Sequence, residues 1–333
     1  MRLDAALVTL KQHRIELAIA ATVALGFGIW AVLIEIRTGL VNVPPGCFEA
    51  WLATPAQAGE CADSIRSWGT ILGEEGSKVI GAMAFVPFIV GLLGGVPIVA
   101  REIEARTAQT AWSLNGSRVS WLLRQLLPIA ILLGATVAFL ALATGVLEAD
   151  RTIWGYSPVE DLGQYGLQLL PRAFGAFGLG LLVGALSGRT LPAFVLGAVL
   201  VVSLVFAMGL AHQAWLERVD PVVVGTSAGA GGGLAPGAVV TGVAWRSPEG
   251  GQISTTEARA RAHQAGIGSP ASGDVEDAAA ITWLMDHGYV ELSLGITREM
   301  ALAWGLYDAV GFGLLGLVCI GASTVVVQNK RPS

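Results

Sequence analysis

The sequence is short of charge. Only 14% of its 333 residues are Asp, Glu, Lys or Arg, against roughly 25% in an ordinary soluble domain. The mean hydropathy of +0.64 points the same way and argues against a soluble enzyme of one or two domains. Cysteine is scarce, at three, with no Cys-x-x-Cys spacing, so no zinc ribbon or thiol-redox motif is present. The four histidines, His13, His212, His263 and His287, show no His-Glu-x-x-His or comparable ligand spacing. No Gly-Lys dipeptide occurs, which excludes a phosphate-binding loop of the G-x-x-x-x-G-K-[ST] type. If ATP drives this protein, another polypeptide must bind it. The abundant carboxylates form no paired site inside an apolar run, so an intramembrane enzyme is not supported.

What the chain does have is long apolar runs. A helix needs about 20 such residues to cross a hydrocarbon layer of roughly 30 Å. Six runs qualify: 15–36, 79–100, 125–147, 173–188, 190–216 and 300–327. The second and third hold no ionisable residue at all, while the fourth is short and can begin earlier, before Arg172. The runs are continuously apolar rather than alternating, which favours helices over a barrel. Only Gly188-Arg189-Thr190 parts the fourth from the fifth, so these two must form a tight helical hairpin. The expected fold is therefore an all-α polytopic membrane protein with six transmembrane helices.

Orientation follows from the basic residues. With six spans both termini share one side, and that side carries ten Lys or Arg in 45 residues. The short loops 37–78 and 148–172 opposite carry five in 67. The positive-inside rule then places both termini in the cytoplasm. Residues 15–36 exceed the 7–15 apolar residues of a signal peptide and are read as a retained helix. Ahead of them, Leu3, Ala6, Leu7 and Leu10 recur at helical spacing, so 1–14 read as a short helix lying in the interface.

On the opposite side, Cys47 and Cys61 share the first outer loop. Either they form a disulfide contributing roughly 2–3 kcal/mol or they stay unpaired. Residues 217–299 are too polar to span and read as a helical extracytoplasmic domain. It opens on a low-complexity stretch, Gly225 to Gly237, and carries two helical signals. Ser254-Thr255-Thr256-Glu257 resembles a capping box ahead of Ala258–Ala265, with Gly266 to end it. Asp274 to His287, followed by Gly288, is the second.

Asp308 is the one firmly central acid within a span. Burying it is costly, so it either pairs structurally, with Arg172 or an amide, or lines a translocation path. Gly91 and Gly95 are four apart, as are Gly180, Gly184 and Gly188, a spacing that lets helix backbones approach closely. Pro87 and Pro97 should interrupt and kink the second span.

The most informative segment is the loop 101–124 between the second and third spans, Arg101-Glu102-Ile103-Glu104-Ala105-Arg106-Thr107 through Trp112 to Asn115-Gly116-Ser117-Arg118 and Trp121-Leu122. Its first half favours helix, Asn115-Gly116 marks a turn, and Ser117 can cap the helix entering the third span. The pattern Arg-Glu-x-Glu, then Thr, Ala-Trp, Ser-Arg and Trp-Leu resembles the first cytoplasmic loop of ABC-2 type transporter permeases. Within that family the likeness is to drug-export-like permease subunits common in actinobacteria. Gly188-Arg189-Thr190-Leu191-Pro192-Ala193 is a second point of similarity. One departure is Arg106, where the family usually has Gly before the Thr; the long 217–299 segment is another.

The resemblance implies a type V exporter-like permease fold, a bacterial cell membrane location, and no catalysis in this chain. It also implies a coupling segment seated on a separate ABC ATPase subunit, which would bind ATP and Mg²⁺; this chain itself would hold no cofactor or metal. By position, Arg101, Glu102, Glu104 and Thr107 look like the start of that segment, and Trp112, Arg118 and Trp121 like its remainder. The two tryptophans could equally be interfacial anchors. Further implied partners are a second copy of the permease, as homodimer or heterodimer and meeting through spans two and five, and the lipid bilayer; no nucleic acid is expected. Substrates would be amphipathic, antibiotic-like, peptide or lipid-like. Two other readings stay open: an ATP-independent channel or carrier, and a membrane sensor or assembly protein working through residues 217–299.

Overall fold

The computed structural model describes residues 3–41, 43, 47, 61–107, 117–153, 163–226, 238–267 and 274–330. A short helix α1 (Leu3–Gln12) turns at His13 into α2 (Arg14–Leu40). Helix α3 (Cys61–Thr70) runs through one π-helical stretch, Ile71–Gly76, into α4 (Ser77–Ala82), and a turn at 83–85 leads to α5 (Val86–Glu104). Then follow α6 (Arg118–Ile153), α7 (Leu169–Ser187) and α8 (Thr190–Leu216), and α11 (Arg298–Asn329) closes the described chain. Among the described residues, six helical stretches are long and apolar enough to cross a membrane.

Each expected span is present, with different ends. The second begins as far back as Cys61, so Asp63, Arg66, Glu74, Glu75 and Lys78 sit on helix rather than in an outer loop. The third extends past Leu147 to Ile153. It can do so because Glu148 and Arg151, one helical turn apart, form a buried ion pair at 2.6 Å, and Arg151 Nη2 also donates to Ser77 Oγ at 3.0 Å. Pro87 does not kink the second span; it lies in the first turn of α5, where its missing N–H costs nothing, and Pro97 alone is inside the helix.

The chain divides into two compact units. The first holds all six apolar stretches, through His212 and again from Trp304. Its core is built on α5 and α7, where glycines remove the side chains that would keep the backbones apart. A Cβ on Gly91 would meet the Ala173 carbonyl, one on Gly95 the Phe177 carbonyl, and one on Gly184 the Val96 carbonyl. Helix α7 ends at Gly188, whose φ of 63° is readily taken only by glycine and whose N–H donates to Gly184 O at 3.0 Å. Two residues later α8 starts, giving the tight hairpin.

The second unit, essentially Gln213–Ala303, corrects the all-α expectation. It contains both expected helices, α9 (Thr255–Gln264) and α10 (Asp274–Asp286), and Ser254 Oγ accepts from the Glu257 N–H at 3.2 Å as a capping box requires. It also contains a four-stranded antiparallel sheet of β1 (Val222–Thr226), β2 (Val239–Arg246), β3 (Gln252–Ser254) and β4 (Val290–Ile296), in the order β1-β4-β2-β3. Trp245 and Ile253 of the sheet pack with Ala258 of α9 and Leu284 of α10 in a separate small core. The strands β1 and β2 are rich in Val, with two Thr and one Trp, residues that fit a half-buried pleated surface.

Candidate functional site

At the basic end of the first unit, the α5–α6 connection meets the α1–α2 junction, the α7–α8 turn and the last turn of α11. Each contact joins segments far apart in sequence. Arg101, in the last turn of α5, donates from Nη1 to Gln12 O at 2.8 Å and to Glu16 Oε1 at 3.2 Å. One turn on, Glu104 Oε2 accepts from both the N–H (2.9 Å) and the Oγ1 (2.6 Å) of Thr190, so a carboxylate borrowed from α5 caps the N-terminus of α8. A negative charge there also complements the helix dipole.

Past α5, the chain turns at Arg106, the one described non-glycine residue with a positive φ, at 58°. This is the position where the resemblance expects glycine; the backbone keeps the left-handed conformation although an arginine occupies it. Thr107 Oγ1 then donates to Glu102 Oε2 at 2.6 Å, closing the turn. Residues 108–116 lie outside the described residues, and the Trp112 and Asn115-Gly116 expectations with them. The chain resumes at Ser117, whose Oγ accepts from the Ser120 N–H at 3.1 Å. Arg118 donates from Nη1 to the carbonyls of Val327, Gln328 and Lys330 at 3.2, 2.8 and 2.9 Å, a cation set on the C-terminal end of α11. Lys330 in turn donates from Nζ to Ala185 O at 2.7 Å and Leu186 O at 3.3 Å, and partial burial lowers its pKa from the ordinary lysine range.

The structure thus brings Arg101, Glu102, Glu104, Thr107 and Arg118 together, but each already has a partner inside the chain. Trp121 is different: at 3% exposure it is part of the core and presents no surface for a partner. What lies exposed at the turn is Ala105, Arg106 and Thr107, with Arg101 and Glu104 beside them. His13, buried at the α1–α2 junction next to Arg101, has its pKa lowered, chiefly by burial.

A family model matches more than half of the chain. The model of the family described as ABC-2 membrane transporter related matches residues 19–213. The chain belongs to this family. The match stops where the second unit begins, so the αβ unit of this ABC-2 family member, and α11 after it, lie outside what the family model covers. No curated protein matches, and no solved structure does. Family and helices together make the chain a multi-pass membrane protein and a transporter membrane subunit.

Two other groups of the ABC-2 chain bear on function. Arg172 Nε donates to Asp308 Oδ2 at 2.9 Å, and both side chains are buried. Cys47 and Cys61 are joined by a disulfide, with Cα atoms 5.4 Å apart. Sequence reasoning missed the buried Glu148–Arg151–Ser77 cluster, because it assigned 148–172 to a loop; the i, i+3 spacing was the available signal. The expectation that no Gly-x-Ser-x-Gly run occurs is corrected by Gly225-Thr226-Ser227-Ala228-Gly229. These have the spacing of a nucleophile elbow at the end of β1, but Ser227 lies outside the described residues and no catalytic role follows.

Of the two spans expected at a dimer interface, α5 is covered within the chain over most of its length, with Ile89 exposed and Phe85 exposed just before its start. By contrast α8 leaves Leu191, Val195, Val199 and Phe206 exposed.

Proposed function

We propose that the chain is the permease subunit of an ATP-driven exporter, with the α5–α6 connection as the docking element for a separate ATPase. That ATPase would bind ATP and Mg²⁺, and cycles of binding and hydrolysis would shift the permease between two access states. The supporting observation is the web at the basic end. Arg101 ties α5 to α1 and α2, Glu104 ties it to α8, and Arg118 ties α6 to the end of α11, so a push on the connection would reach each of them. Two copies would pair, with α8 the least buried of the six apolar stretches. In this reading both termini and the web are cytoplasmic, the 217–299 segment is outside the cell membrane, and the cargo is amphipathic: antibiotic-like, peptide or lipid-like.

The test is co-purification from the native membrane. A nucleotide-binding protein should accompany the chain, and the double charge reversal Glu102→Lys with Glu104→Lys should lower the stimulated ATPase rate at least about ten-fold without reducing membrane insertion. Because Glu104 also caps α8, Glu104→Gln serves as the control that keeps a hydrogen-bond acceptor. Recovery of the chain with no nucleotide-binding protein, or a charge-reversed permease that still stimulates fully, overturns the reading.

A further inference from the structure

The Arg172–Asp308 ion pair lies between two cavities. The larger, about 380 Å³, sits between α8 and α11 and is lined by Leu204, Met208, Trp304, Tyr307, Asp308 and Phe312 among others. The smaller, about 150 Å³, touches Arg172 and shares Met208, Trp304 and Phe312 with the first. The larger falls within the range of ligand sites, roughly 300–1,000 Å³, and has their character: an apolar, aromatic wall with one charged polar group, the Asp308 carboxylate. Tyr307, 70% exposed, marks its open side on the outer surface of the helices.

The polar group is only half satisfied. Asp308 Oδ2 receives the Arg172 hydrogen bond, whereas Oδ1, fully buried, has no hydrogen-bond partner among the described residues. A carboxylate oxygen held away from water without a donor is costly, and an incoming N–H or O–H would remove that cost. The charge, however, is already balanced. Arg172 is bonded to the carboxylate and packs over the Phe312 ring at 5.7 Å, so a second cation would leave a net charge in an apolar wall.

We propose that this cavity binds an uncharged amphiphile, a ring or chain body with one hydrogen-bond-donating head, whose donor pairs with Asp308 Oδ1. The body packs against Trp304, Tyr307 and the deformable Met208. Calling this ligand a transport substrate rests on the exporter reading; the binding itself does not.

The experiment uses the full chain in lipid nanodiscs without any ATPase, with tritiated α-naphthol as probe. Naphthol should bind saturably, and its methyl ether, which lacks the donor, at least about ten-fold more weakly, as expected for a hydrogen bond to a charged acceptor. A naphthylmethyl trimethylammonium ion should bind no better than the ether. Met208→Trp fills the cavity and leaves the ion pair intact; it should abolish saturable binding at an unchanged unfolding midpoint. Asp308→Asn should weaken naphthol about ten-fold; where that variant fails to fold, Met208→Trp decides. Equal binding of naphthol and ether, tight binding of the cation, saturable binding that survives Met208→Trp, or no saturable binding at all overturns the proposal. None of these outcomes touches the exporter reading, just as the absence of an ATPase would leave naphthol binding intact.

Discussion

Helices α5 and α7 meet backbone to backbone, whereas α8, no less apolar, turns most of its side chains away from the rest of the chain. The difference is one of residue size rather than hydropathy. In lipid, apolar side chains gain little by leaving hydrocarbon for one another, so close association needs small residues that bring main chains into van der Waals range. Gly91, Gly95, Gly180 and Gly184 provide that along the α5–α7 seam. On α8, Gly197 does meet Leu92, but Gly209 faces open space and the bulky Leu191, Val195 and Phe206 project outward. Helix α8 is held chiefly at its start, by Glu104 and by the short turn from α7.

The sharpest way to break this contrast is to put the same large residue into both places. Gly95→Leu drives a side chain into the Phe177 backbone and should cost about 3 kcal/mol or more, at or beyond the upper end for overpacking. Gly209→Leu should change stability by less than about 0.5 kcal/mol. Thermal midpoints of the two variants in detergent decide; equal losses would mean that α8 is packed as tightly as α7. A smaller effect is expected from Glu104→Ala, which removes the borrowed cap. Amide exchange should speed up at Thr190 and through the first turn of α8 while the α5–α7 seam stays protected. Exchange that is unchanged in the first turn of α8 would show that the turn alone fixes the helix.

The smallest effect concerns pH at the α1–α2 junction. Burial lowers the His13 pKa from 6.5, with Arg101 pushing the same way and Glu16 and Glu102 opposing. The unfolded chain therefore binds a proton that the folded one resists. The His13 contribution to stability is fully present above pH 6.5 and is lost progressively as pH falls toward the lowered value. His13→Gln should flatten the stability profile below pH 6.5. A profile that keeps its slope assigns the acid sensitivity to other groups.

Much of this architecture was legible in the sequence, and the gaps have physical causes. The spans were readable because a run without charge has few other uses. Their ends were not, because charge can enter a span once it is paired: Glu148 and Arg151 form an ion pair on α6, so the helix continues where composition suggested a loop. The polar residues of the basic end were readable as a group, but their partners were not. Arg101 reaches back 89 residues to Gln12, Glu104 forward 86 to Thr190, and Arg118 forward 210 to Gln328, separations at which no local pattern speaks. Trp121 was read as surface when it is core, because a tryptophan near a membrane boundary fits either place. The strands escaped notice for a different reason. Val222–Thr226 and Val239–Arg246 flank a glycine-rich stretch, and their short alternations are faint beside the capping signals of the two helices.

The order β1-β4-β2-β3 has an architectural consequence. Strand β1 follows α8 within six residues of Leu216, β4 precedes α11 by one residue, and the two are hydrogen-bonded neighbours, with Val222 opposite Gly295. The unit's first and last strands are therefore side by side, so the chain enters and leaves the sheet through neighbouring strands about 5 Å apart. The unit's two ends hold each other by backbone hydrogen bonds, so it is closed by its own first and last strands rather than by a connecting loop.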